Sequence, residues 1–552
     1  MRFFTLLMLT VSINLIAEEN TRISGTNRDY NVGDWITWST TRYVRDLDMG
    51  NEFVYYATTG GITRYNFYEK QWYFPWTISN GLSSMNIHVV GFDKNTGYLW
   101  CVTGNSISYQ EPATKYWSNI FFDELGLGYS DRITSLGFGD DKKIYLVSSR
   151  SDWYRSENMF IDFTRINKPA REDFIRWRGG KRRRLSKLPH LYMEPGFFFD
   201  EQNRVIDDVD LRHYDITCWL QDEWQNLYLG TWGLGTGHAN LVTYNLELTR
   251  HGLWSPAVDA IGAQSETLWI GGVQNERESA GVTKWTPFDR QPEYFEPYLI
   301  TGFHNENITA IAADENLIWF GTLDGLTRHN LSKDIWRTYT IADNLVDNRI
   351  QDVVLDDTTV WVATVNGVSR IDKATVGTDS TRIQLVDYPA LRNISVRDLD
   401  QHHNLLWMAT EFGIYVYDKA EQSGGFYSGV EGPSGRECFA VSCFEDEVWF
   451  GSVEGVSAFN VKSKTWLDPP AKHYEMSHHI NRILAAEKAV WVATDDGVYK
   501  FDRERERWVR FGIEDGLPTT KVFSLHLSGD YIWLGTLGGI TRFYWNSPYR
   551  ID

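Results

Sequence analysis

The stretch Ile318–Asn330 reads IWFGTLDGLTRHN and encodes two short strands joined by a tight turn. Its first half is rich in aromatic and β-branched residues, a composition typical of strands. Asp324 and Gly325 follow, and this dipeptide favours a hairpin because both positions tolerate positive φ. Residues 335–339 and 349–354 indicate two further strands, after which a similar unit begins. The stretch therefore predicts a repeating unit of four strands.

An aromatic residue marks the same register position in each copy of this unit. The markers are Tyr55, Trp100, Tyr145, Tyr228, Trp269, Trp319, Trp361, Trp407, Trp449, Trp491 and Trp533. From Trp269 onward, successive markers are 42 to 50 residues apart. A period of roughly 40–45 residues with four strands per unit is typical of a β-propeller blade. We therefore predict an all-β fold of about 11 or 12 four-stranded blades, divided between two propellers.

Two further register marks support the blade interpretation. A small residue follows two positions after most of the markers, and a second tryptophan recurs in the outer part of the unit, as at Trp72 and Trp336. With connectors such as Asn80-Gly81-Leu82, the pattern resembles the regulator-propeller repeat, known from periplasmic sensor regions of hybrid two-component systems. The resemblance covers most of residues 34–546. It implies a propeller fold and a role in sensing outside the cytoplasm.

The two ends of the repeat pattern complement each other. Residues 34–39 match an outer-strand segment, whereas the last unit stops after residue 544 without an outer strand. The first segment can therefore complete a ring by pairing with a three-stranded blade, which removes an exposed sheet edge. The periodicity does not distinguish two tandem rings from one ring inserted in another.

The segment WTPFDRQPEYFEP at residues 285–297 is the strongest candidate for a domain boundary because it contains three prolines. We predict a first propeller over residues 18–290 and a second over 291–552, with about six blades each. Splits of five and seven blades remain open.

The repeat is irregular between Tyr145 and Tyr228. These markers are 83 residues apart, which allows either one degenerate blade, with a hairpin formed by residues 197–199 and 204–206, or a long insertion. A basic insertion near 165–190 lies in the same region of an otherwise acidic chain. It is interpreted either as a loop docked on the protein's own acidic surface or as an arm that binds an anionic partner. The arm would use Arg178, Lys181, Arg182, Arg183 and Arg184.

Composition and the N-terminus indicate an exported protein. The 552-residue chain has a formal net charge of −19, which argues against general nucleic-acid binding. Residues 1–17 combine one arginine with a short apolar run and predict a signal peptide cleaved after Ala17, with an uncleaved anchor as the alternative. The expected location is periplasmic or secreted. The four cysteines are expected to be free thiols, although a disulfide among them remains open.

Candidate ligand residues lie where copies of the repeat deviate or turn. The glycine-rich loop at residues 231–238 contains Trp232 and His238, and a tryptophan there could stack on a sugar ring. Trp153 and Tyr154 occupy the equivalent position of an earlier unit. The hairpin turns contribute Asp324, Glu411 and Asp495, which suit sugar hydroxyls or a cation, although tight turns require such residues anyway.

The sequence thus predicts an exported binding module for an oligosaccharide-like ligand or an envelope protein, without a cofactor. The alternative is an enzyme. The streptogramin lyases have a similar repeat style, and that resemblance implies histidine and acidic residues beside a channel with a divalent metal, for which His478, His479 and Asp495 are candidates. Catalysis requires a histidine and a carboxylate within hydrogen-bond reach. Ligand binding at the glycine loop requires an exposed Trp232.

Overall fold

The structure is a computed structural model, and it describes residues 20–21, 30–31, 33–112, 117–128, 130–157, 162–180, 188–273, 280–287, 292–378, 381–386, 391–427, 437–467, 476, 479–548 and 550. The predicted signal peptide at residues 1–17 lies outside these ranges. The described residues form sheets that are antiparallel except for one short strand pair, together with short 3-10 helices and no α-helix. The 3-10 helices are Ile78–Asn80, Pro297–Leu299, Ile341–Asp343, Lys373–Thr375 and Ile513–Asp515.

Eleven four-stranded blades follow one another along the described chain, and the first four form one group. Blade 1 consists of Val44–Met49, Phe53–Thr58, Gly61–Asn66 and Gln71–Trp76. Blade 2 consists of Val89–Phe92, Leu99–Val102, Ser106–Gln110 and Trp117–Phe121. Blade 3 consists of Ile133–Gly139, Ile144–Ser148, Trp153–Ser156 and Phe163–Ile166. Blade 4 consists of Ile216–Gln221, Asn226–Thr231, Thr236–Asn240 and Asn245–Thr249.

The remaining seven blades are more regular. Blade 5 consists of Ala260–Gln264, Thr267–Gly271, Val282–Trp285 and Glu293–Phe295, and blade 6 of Ile308–Ala313, Leu317–Thr322, Gly325–Asn330 and Ile335–Tyr339. Blade 7 consists of Ile350–Leu355, Thr359–Thr364, Gly367–Asp372 and Ile383–Leu385, and blade 8 of Val396–His402, Leu405–Thr410, Gly413–Asp418 and Ser423–Phe426. Blade 9 consists of Cys438–Phe444, Glu447–Ser452, Gly455–Asn460 and Thr465–Leu467, and blade 10 of Ile480–Ala485, Ala489–Thr494, Gly497–Asp502 and Arg507–Phe511. Blade 11 consists of Val522–Ser528, Tyr531–Thr536 and Gly539–Tyr544, with Trp35–Trp38 as its outer strand.

The β-propeller prediction is confirmed, and the repeat residues have the packing roles expected of them. In every blade except blade 3, where a further strand is added, the first strand is innermost. The first strands of blades 1 and 2, and of neighbouring blades from 5 to 11, lie side by side. Trp319 is buried in the second strand of blade 6. A Cβ on Gly321 would meet Ile350 of the next blade at 2.8 Å, so the small residue permits the close approach of neighbouring sheets. We call the face at which innermost strands begin the upper face; it also carries the hairpins between second and third strands.

Blades 5 to 11 form the second ring, which closes in two ways. The N-terminal strand Trp35–Trp38 pairs antiparallel with Gly539–Tyr544 and completes blade 11. Blade 11 then packs against blade 5, where the backbone N–H of Val258 donates to the carbonyl of Thr536 at 2.9 Å. The chain therefore closes a seven-bladed ring with a strand that lies more than 500 residues from its pairing partner. The two chain ends pair as predicted, and they do so in the second ring.

Blades 1 to 4 belong to the first ring, which is inserted in the second. The innermost strand of blade 4 packs against blade 1, and Thr217 Oγ1 donates to the carbonyl of Val44 at 2.7 Å. The division between rings therefore falls at residues 39–43 and 250–259, where the chain crosses between them. This differs from the predicted boundary at residue 290, because blade 5 packs on blade 11 rather than on blade 4. The prolines near residue 292 mark a long outer connection within one blade.

The two crossings run side by side and are hydrogen-bonded to each other. Thr40 and Gly252 form an isolated antiparallel bridge, and the N–H of Leu253 donates to the carbonyl of Ser39 at 3.0 Å. Gly252 has a φ of +76°, and a Cβ there would lie 2.1 Å from the Ser39 carbonyl. Only glycine therefore allows the two crossings to approach this closely.

The irregular region contains the predicted hairpin but not a regular blade. Phe197–Phe199 pairs with Val205–Asp207, and His213–Tyr214 completes a small three-stranded sheet. Ile175–Arg178 is added to the innermost edge of blade 3, and Tyr192–Met193 runs parallel to the outer strand of blade 4. The degenerate unit thus consists of short strands distributed over three sheets.

None of the four cysteines, all of which the structure describes, forms a disulfide. Burial raises the pKa of Cys101 and of Cys438 to about 12, and it also raises the pKa of Cys443, where nearby Asp400 adds to the effect. Thiolate is the reactive species. We therefore expect iodoacetamide at pH 8 to leave the native protein essentially unmodified and to alkylate all four thiols in 6 M guanidinium, as read by intact mass. Rapid modification of the native chain would contradict the buried placement.

Candidate functional site

The outer strand of blade 1, Gln71–Trp76, reads QWYFPW and is bulged. Its pairing with the third strand shifts register between Ile62 and Arg64, so that two residues, Phe74 and Pro75, oppose one. The Arg64 guanidinium donates to the Phe74 carbonyl at 3.0 and 3.2 Å and lies 3.9 Å from the Trp76 ring centroid. Burial lowers the pKa of Arg64 to about 10. A β-bulge redirects side chains, and here it exposes aromatic rings on both sides of an edge strand.

One side of this strand faces a cavity of about 740 Å³, which we call the inter-ring groove. The first ring supplies the aromatic side chains Phe53, Tyr55, Tyr73 and Trp76, and the second ring supplies Trp35 with the adjoining Tyr30. Polar side chains complete the lining: Asn31, Asn51, Glu52, Arg64, Asn66, Glu69, Asn80 and Gln110. The groove thus combines aromatic faces with many hydrogen-bonding amides and carboxylates.

The other side of the strand faces a smaller cavity of about 270 Å³, the crossover pocket. Trp38 and Trp285 of the second ring line it opposite Trp72 and Phe74 of the first. The crossing segments form its floor and contribute His251, whose ring lies 3.9 Å from that of Trp72. Burial lowers the pKa of His251 to about 3, so the imidazole is neutral at pH 7.

Two buried polar atoms in the crossover pocket have no hydrogen-bond partner within the described residues. They are His251 Nε2 and Thr63 Oγ1. Buried polar groups are normally satisfied, because leaving one without a partner costs about 1–3 kcal/mol. A pocket with apolar walls and a few unsatisfied polar atoms at an interface between domains has the usual character of a small-molecule site.

The channel of the second ring is a polar cavity of about 490 Å³ that contains a charged cluster. Arg482 lies 2.6 Å from Asp398 and 3.2 Å from Asp352. Burial raises the pKa of Asp398 well above its usual value and that of Asp400 to about 6. Although burial alone would lower the pKa of Arg482, the surrounding carboxylates raise it. The cluster is therefore strongly coupled electrostatically.

The channel aspartates also join neighbouring blades. Asp352 accepts a hydrogen bond from the Leu399 N–H at 3.1 Å, Asp398 from the Val441 N–H at 2.8 Å, and Asp400 from the Cys443 N–H at 2.7 Å. Each carboxylate thus holds the innermost strand of the next blade. The arrangement is structural bracing rather than an open set of acceptors.

The first ring has the same device. Asp48 accepts from the Phe92 N–H at 2.8 Å and pairs with Arg178 at 2.6 Å and Arg176 at 3.2 Å. Burial alone would raise the pKa of Asp48, but the two arginines outweigh it and the pKa is lowered. Arg178, predicted as part of an arm for an anionic partner, is therefore committed to an internal ion pair. Lys181, Arg182, Arg183 and Arg184 lie outside the described residues.

The acidic turn residues brace loops on the upper face of the second ring. Asp324 accepts from the Asn348 amide at 3.0 Å, and Glu411 accepts from the Ser395 N–H at 3.0 Å. Asp495 accepts from the Asn481 amide at 3.0 Å. These hydrogen bonds agree with the turn-chemistry interpretation. A ligand role for the three residues remains a prediction.

The Asp495 N–H donates to the His479 carbonyl at 3.1 Å, but the His479 ring and the Asp495 carboxylate are not hydrogen-bonded to each other. The Asn481 amide lies between them, with its oxygen 3.1 Å from His479 Nδ1 and its nitrogen 3.0 Å from Asp495 Oδ1. His478 lies outside the described residues. Among the residues that the structure describes, no group of three or more His, Cys, Asp or Glu side chains could hold a metal ion.

The predicted aromatic ligand residues are placed in different environments. Trp153 and Tyr154 are strand residues of blade 3, only 3% and 4% exposed, so the prediction that they face a ligand is wrong. His238 is also a strand residue. Its ring stacks on Tyr228, and burial lowers its pKa. Trp232 remains 41% exposed on the upper face of the first ring, as its proposed role requires.

Sequence reasoning missed the inter-ring groove and the carboxylates that brace the channels, although the sequence contains one signal for each. Residues 71–76 contain four aromatic residues and a proline, unlike the other outer strands. The sequence VRDLD occurs both at residues 44–48 and at residues 396–400, which are equivalent positions in the two rings. The second signal identifies the carboxylates that brace each channel.

The comparisons with known proteins support the fold. No family model matches the sequence, and no curated protein sequence matches it significantly. PorZ of Porphyromonas gingivalis, described as an essential bacterial surface component of the type-IX secretion system, is similar in structure with a TM-score of 0.60 at 13% identity. The match covers 93% of this chain and 87% of that one.

Two extracellular domains from B. thetaiotaomicron are more distant. Those of BT4673 and BT3049, described as hybrid two-component systems, have TM-scores of 0.44 and 0.43 at 15% and 14% identity. The matches cover 91% and 93% of this chain and 64% and 76% of theirs. At 13% identity, the likeness to PorZ shows the fold alone. No helix in the described part of the chain is long and apolar enough to span a membrane.

Proposed function

We propose that this protein is an exported, non-catalytic binding module that holds an oligosaccharide-like ligand in the inter-ring groove. The observation that carries the proposal is the lining of the groove. It places Phe53, Tyr73 and Trp76 beside at least six amide or carboxylate side chains. A sugar presents an apolar C–H face and several hydroxyl groups that both donate and accept. Aromatic faces and amides match these two features.

The location of the groove also supports the proposal. It lies between two rings that are joined by two hydrogen-bonded crossings, so both walls are held in place before a ligand arrives. Preorganised walls reduce the entropic cost of binding. The signal peptide predicted at residues 1–17 and the surface location stated for PorZ favour export.

The proposal does not include catalysis, and the separation of the His479 ring from the Asp495 carboxylate supports that choice. A general base must reach its proton directly or through one water, whereas Asn481 occupies the position between His479 and Asp495. The same amide satisfies the carboxylate. These hydrogen bonds are typical of a braced loop and differ from the direct contact between histidine and carboxylate that a metal-dependent lyase would need.

A Tyr73→Ala substitution tests the groove. Tyr73 is 37% exposed, lines both cavities, and its hydroxyl donates to Glu69 at 2.5 Å. We expect the purified chain to bind one class of oligosaccharide on a glycan array. Isothermal titration should then show affinity for that oligosaccharide reduced about tenfold or more in Tyr73→Ala, because stacking on the ring is lost.

Tyr68→Ala is the matched control. Tyr68 belongs to the same blade, is more exposed, and lines neither cavity. It should bind like the unmodified protein. Equal losses in the two variants, or binding that is insensitive to both, would place the ligand elsewhere. Absence of any oligosaccharide binding would remove this function.

A second candidate is a protein-binding component of a surface secretion machinery. The observation that favours it is the similarity to PorZ, which extends over both rings and most of both chains. Affinity capture from envelope extract of the native organism tests it. A stoichiometric protein partner, retained by Tyr73→Ala and without any oligosaccharide binding, would favour this candidate.

A further inference from the structure

The upper face of the first ring concentrates positive charge in an acidic protein. Three successive blades place Arg45, His88 and Arg132 at or immediately before the start of their innermost strands, and the hairpin of blade 4 adds Trp232. We call these four residues the first-ring mouth. The Arg45 guanidinium lies 5.3 Å from the Trp232 ring centroid and contacts His88. The whole chain, by contrast, has a net charge of −19.

The hydrogen bond between Arg45 and His88 fixes what the mouth can recognise. Arg45 Nη1 lies 2.6 Å from His88 Nδ1. Because a guanidinium has donors only, Nδ1 must be the acceptor, which places the imidazole proton on Nε2. Burial, with contributions from Arg45 and Arg132, lowers the pKa of His88 to about 4, so the ring is neutral at pH 7. Every nitrogen that these three side chains still offer to solvent is therefore a donor.

Neither arginine is neutralised by an acidic side chain within the described residues. Arg132 donates to the Gly104 carbonyl at 3.1 Å, and Arg45 makes its hydrogen bond to His88. The second ring differs at the equivalent position of its VRDLD sequence, where Arg397 pairs with Glu437. Two uncompensated guanidinium groups beside a donor imidazole favour a ligand with acceptors and negative charge.

Trp232 adds a flat surface to these donors. Its ring is 41% exposed and is supported from beneath by Tyr43, at 5.1 Å between ring centroids. An exposed aromatic ring beside a cation is suited to a ligand that has both a flat face and a charged group.

We propose that the first-ring mouth binds an oxyanion carried on a sugar-sized ring, with the carboxylate, sulfate or phosphate held by Arg45 and Arg132 and the ring stacked on Trp232. This site is separate from the inter-ring groove, and the proposal does not depend on an oligosaccharide occupying that groove. The residues of the first-ring mouth also differ from those of the basic insertion, in which Arg178 forms an internal ion pair with Asp48.

Isothermal titration of the full chain with glucuronate, glucose 6-phosphate and glucose tests the site. We expect at least one of the two anions to bind and glucose to bind at least about tenfold more weakly, because only the anions engage the guanidinium groups. The stronger of the two anions identifies carboxylate or phosphate as the preferred group. Affinity should fall as NaCl is raised from 50 to 500 mM, since partly exposed charges are screened.

Arg45→Gln and Trp232→Ala locate the binding. Each should reduce affinity for the preferred anion by about tenfold or more. Arg397→Gln is the matched control, because it removes the equivalent arginine from the second ring, and it should leave affinity within about twofold. If Arg45→Gln disturbs folding, as judged by circular dichroism, Arg132→Gln replaces it, because Arg132 is exposed.

The proposal is overturned by any of three results. These are an absence of binding by both anions at millimolar concentration, equal binding of glucose, and unchanged affinity in Arg45→Gln and Arg132→Gln. Loss of groove binding in Tyr73→Ala would leave this site intact, so the two functions fail separately.

Discussion

Replacing Arg482 with methionine is expected to destabilise the protein by about 2–4 kcal/mol at pH 7.5. The substitution leaves Asp352 and Asp398, which are 3% and 2% exposed, without their counter-charge in the channel of the second ring. Unpaired buried charges are costly. The figure lies below the usual value for a fully buried pair because the Arg482 side chain itself is 37% exposed.

The effect should be smaller at pH 5. Burial already raises the pKa of Asp398 well above its usual value and that of Asp400 to about 6, and loss of Arg482 raises both further. A folded state with raised carboxyl pKa values binds more protons than the unfolded chain, so its stability falls as pH rises through those values. Lowering the pH to 5 protonates Asp398 and Asp400 and recovers stability.

Urea denaturation followed by tryptophan fluorescence at pH 5 and 7.5 measures this difference. Arg505→Met is the control, because Arg505 and Asp502 form an exposed i,i+3 pair at 3.2 Å, and such pairs contribute about 0–1 kcal/mol. A loss of stability in Arg482→Met that is equal at both pH values would contradict the electrostatic explanation and indicate lost packing instead.

Replacing Trp35 with alanine is expected to destabilise the second ring by about 3–5 kcal/mol. Trp35 is 2% exposed, lies in the N-terminal strand, and stacks on Phe543 with ring centroids 3.9 Å apart. Removing it leaves a cavity at the closure of blade 11. Hydrogen exchange read by mass spectrometry should show faster exchange in residues 522–544 and in the adjoining blade 10, where Phe511 packs on Trp35.

The same experiment distinguishes the two ring arrangements that the sequence left open. With the first ring inserted in the second, the strands of blades 1 to 4 should keep their protection in Trp35→Ala. In a tandem arrangement, Trp35 would close the first ring, and blades 1 and 4 would lose protection. Phe412→Ala, at an exposed position in the hairpin turn of blade 8, should leave exchange unchanged throughout.

Local sequence was sufficient for the blades. Trp319, Gly321 and the Asp324-Gly325 turn recur because each blade must bury the same faces against its neighbours and turn at the same points. Such requirements involve residues within one period, so they appear as a pattern. Even the irregular hairpin at residues 197–206 was recognisable in this way.

The candidate sites were only partly predictable, for a physical reason. Trp232 was identified because its glycine loop departs from the repeat, and it is exposed. Trp153 stood out equally, yet it packs against Trp177 at 5.5 Å, because an added strand covers it. Trp72 recurs in the repeat as a register mark, but it also lines the crossover pocket. The exposure of a side chain depends on which other parts of the protein cover it. The neighbouring sequence does not show this.

The sequence by itself determined the repeating blade, its turns and the complementary ends of the chain, because these depend on periodicity and composition. Only the tertiary structure decided which ring closes with Trp35, where the chain crosses between rings, and that Arg178 and Arg482 are used in the channels. Those contacts join residues far apart in the chain, as between Val258 and Thr536. Because the copies of the repeat are alike, the sequence does not show which blades pack against each other to close a ring.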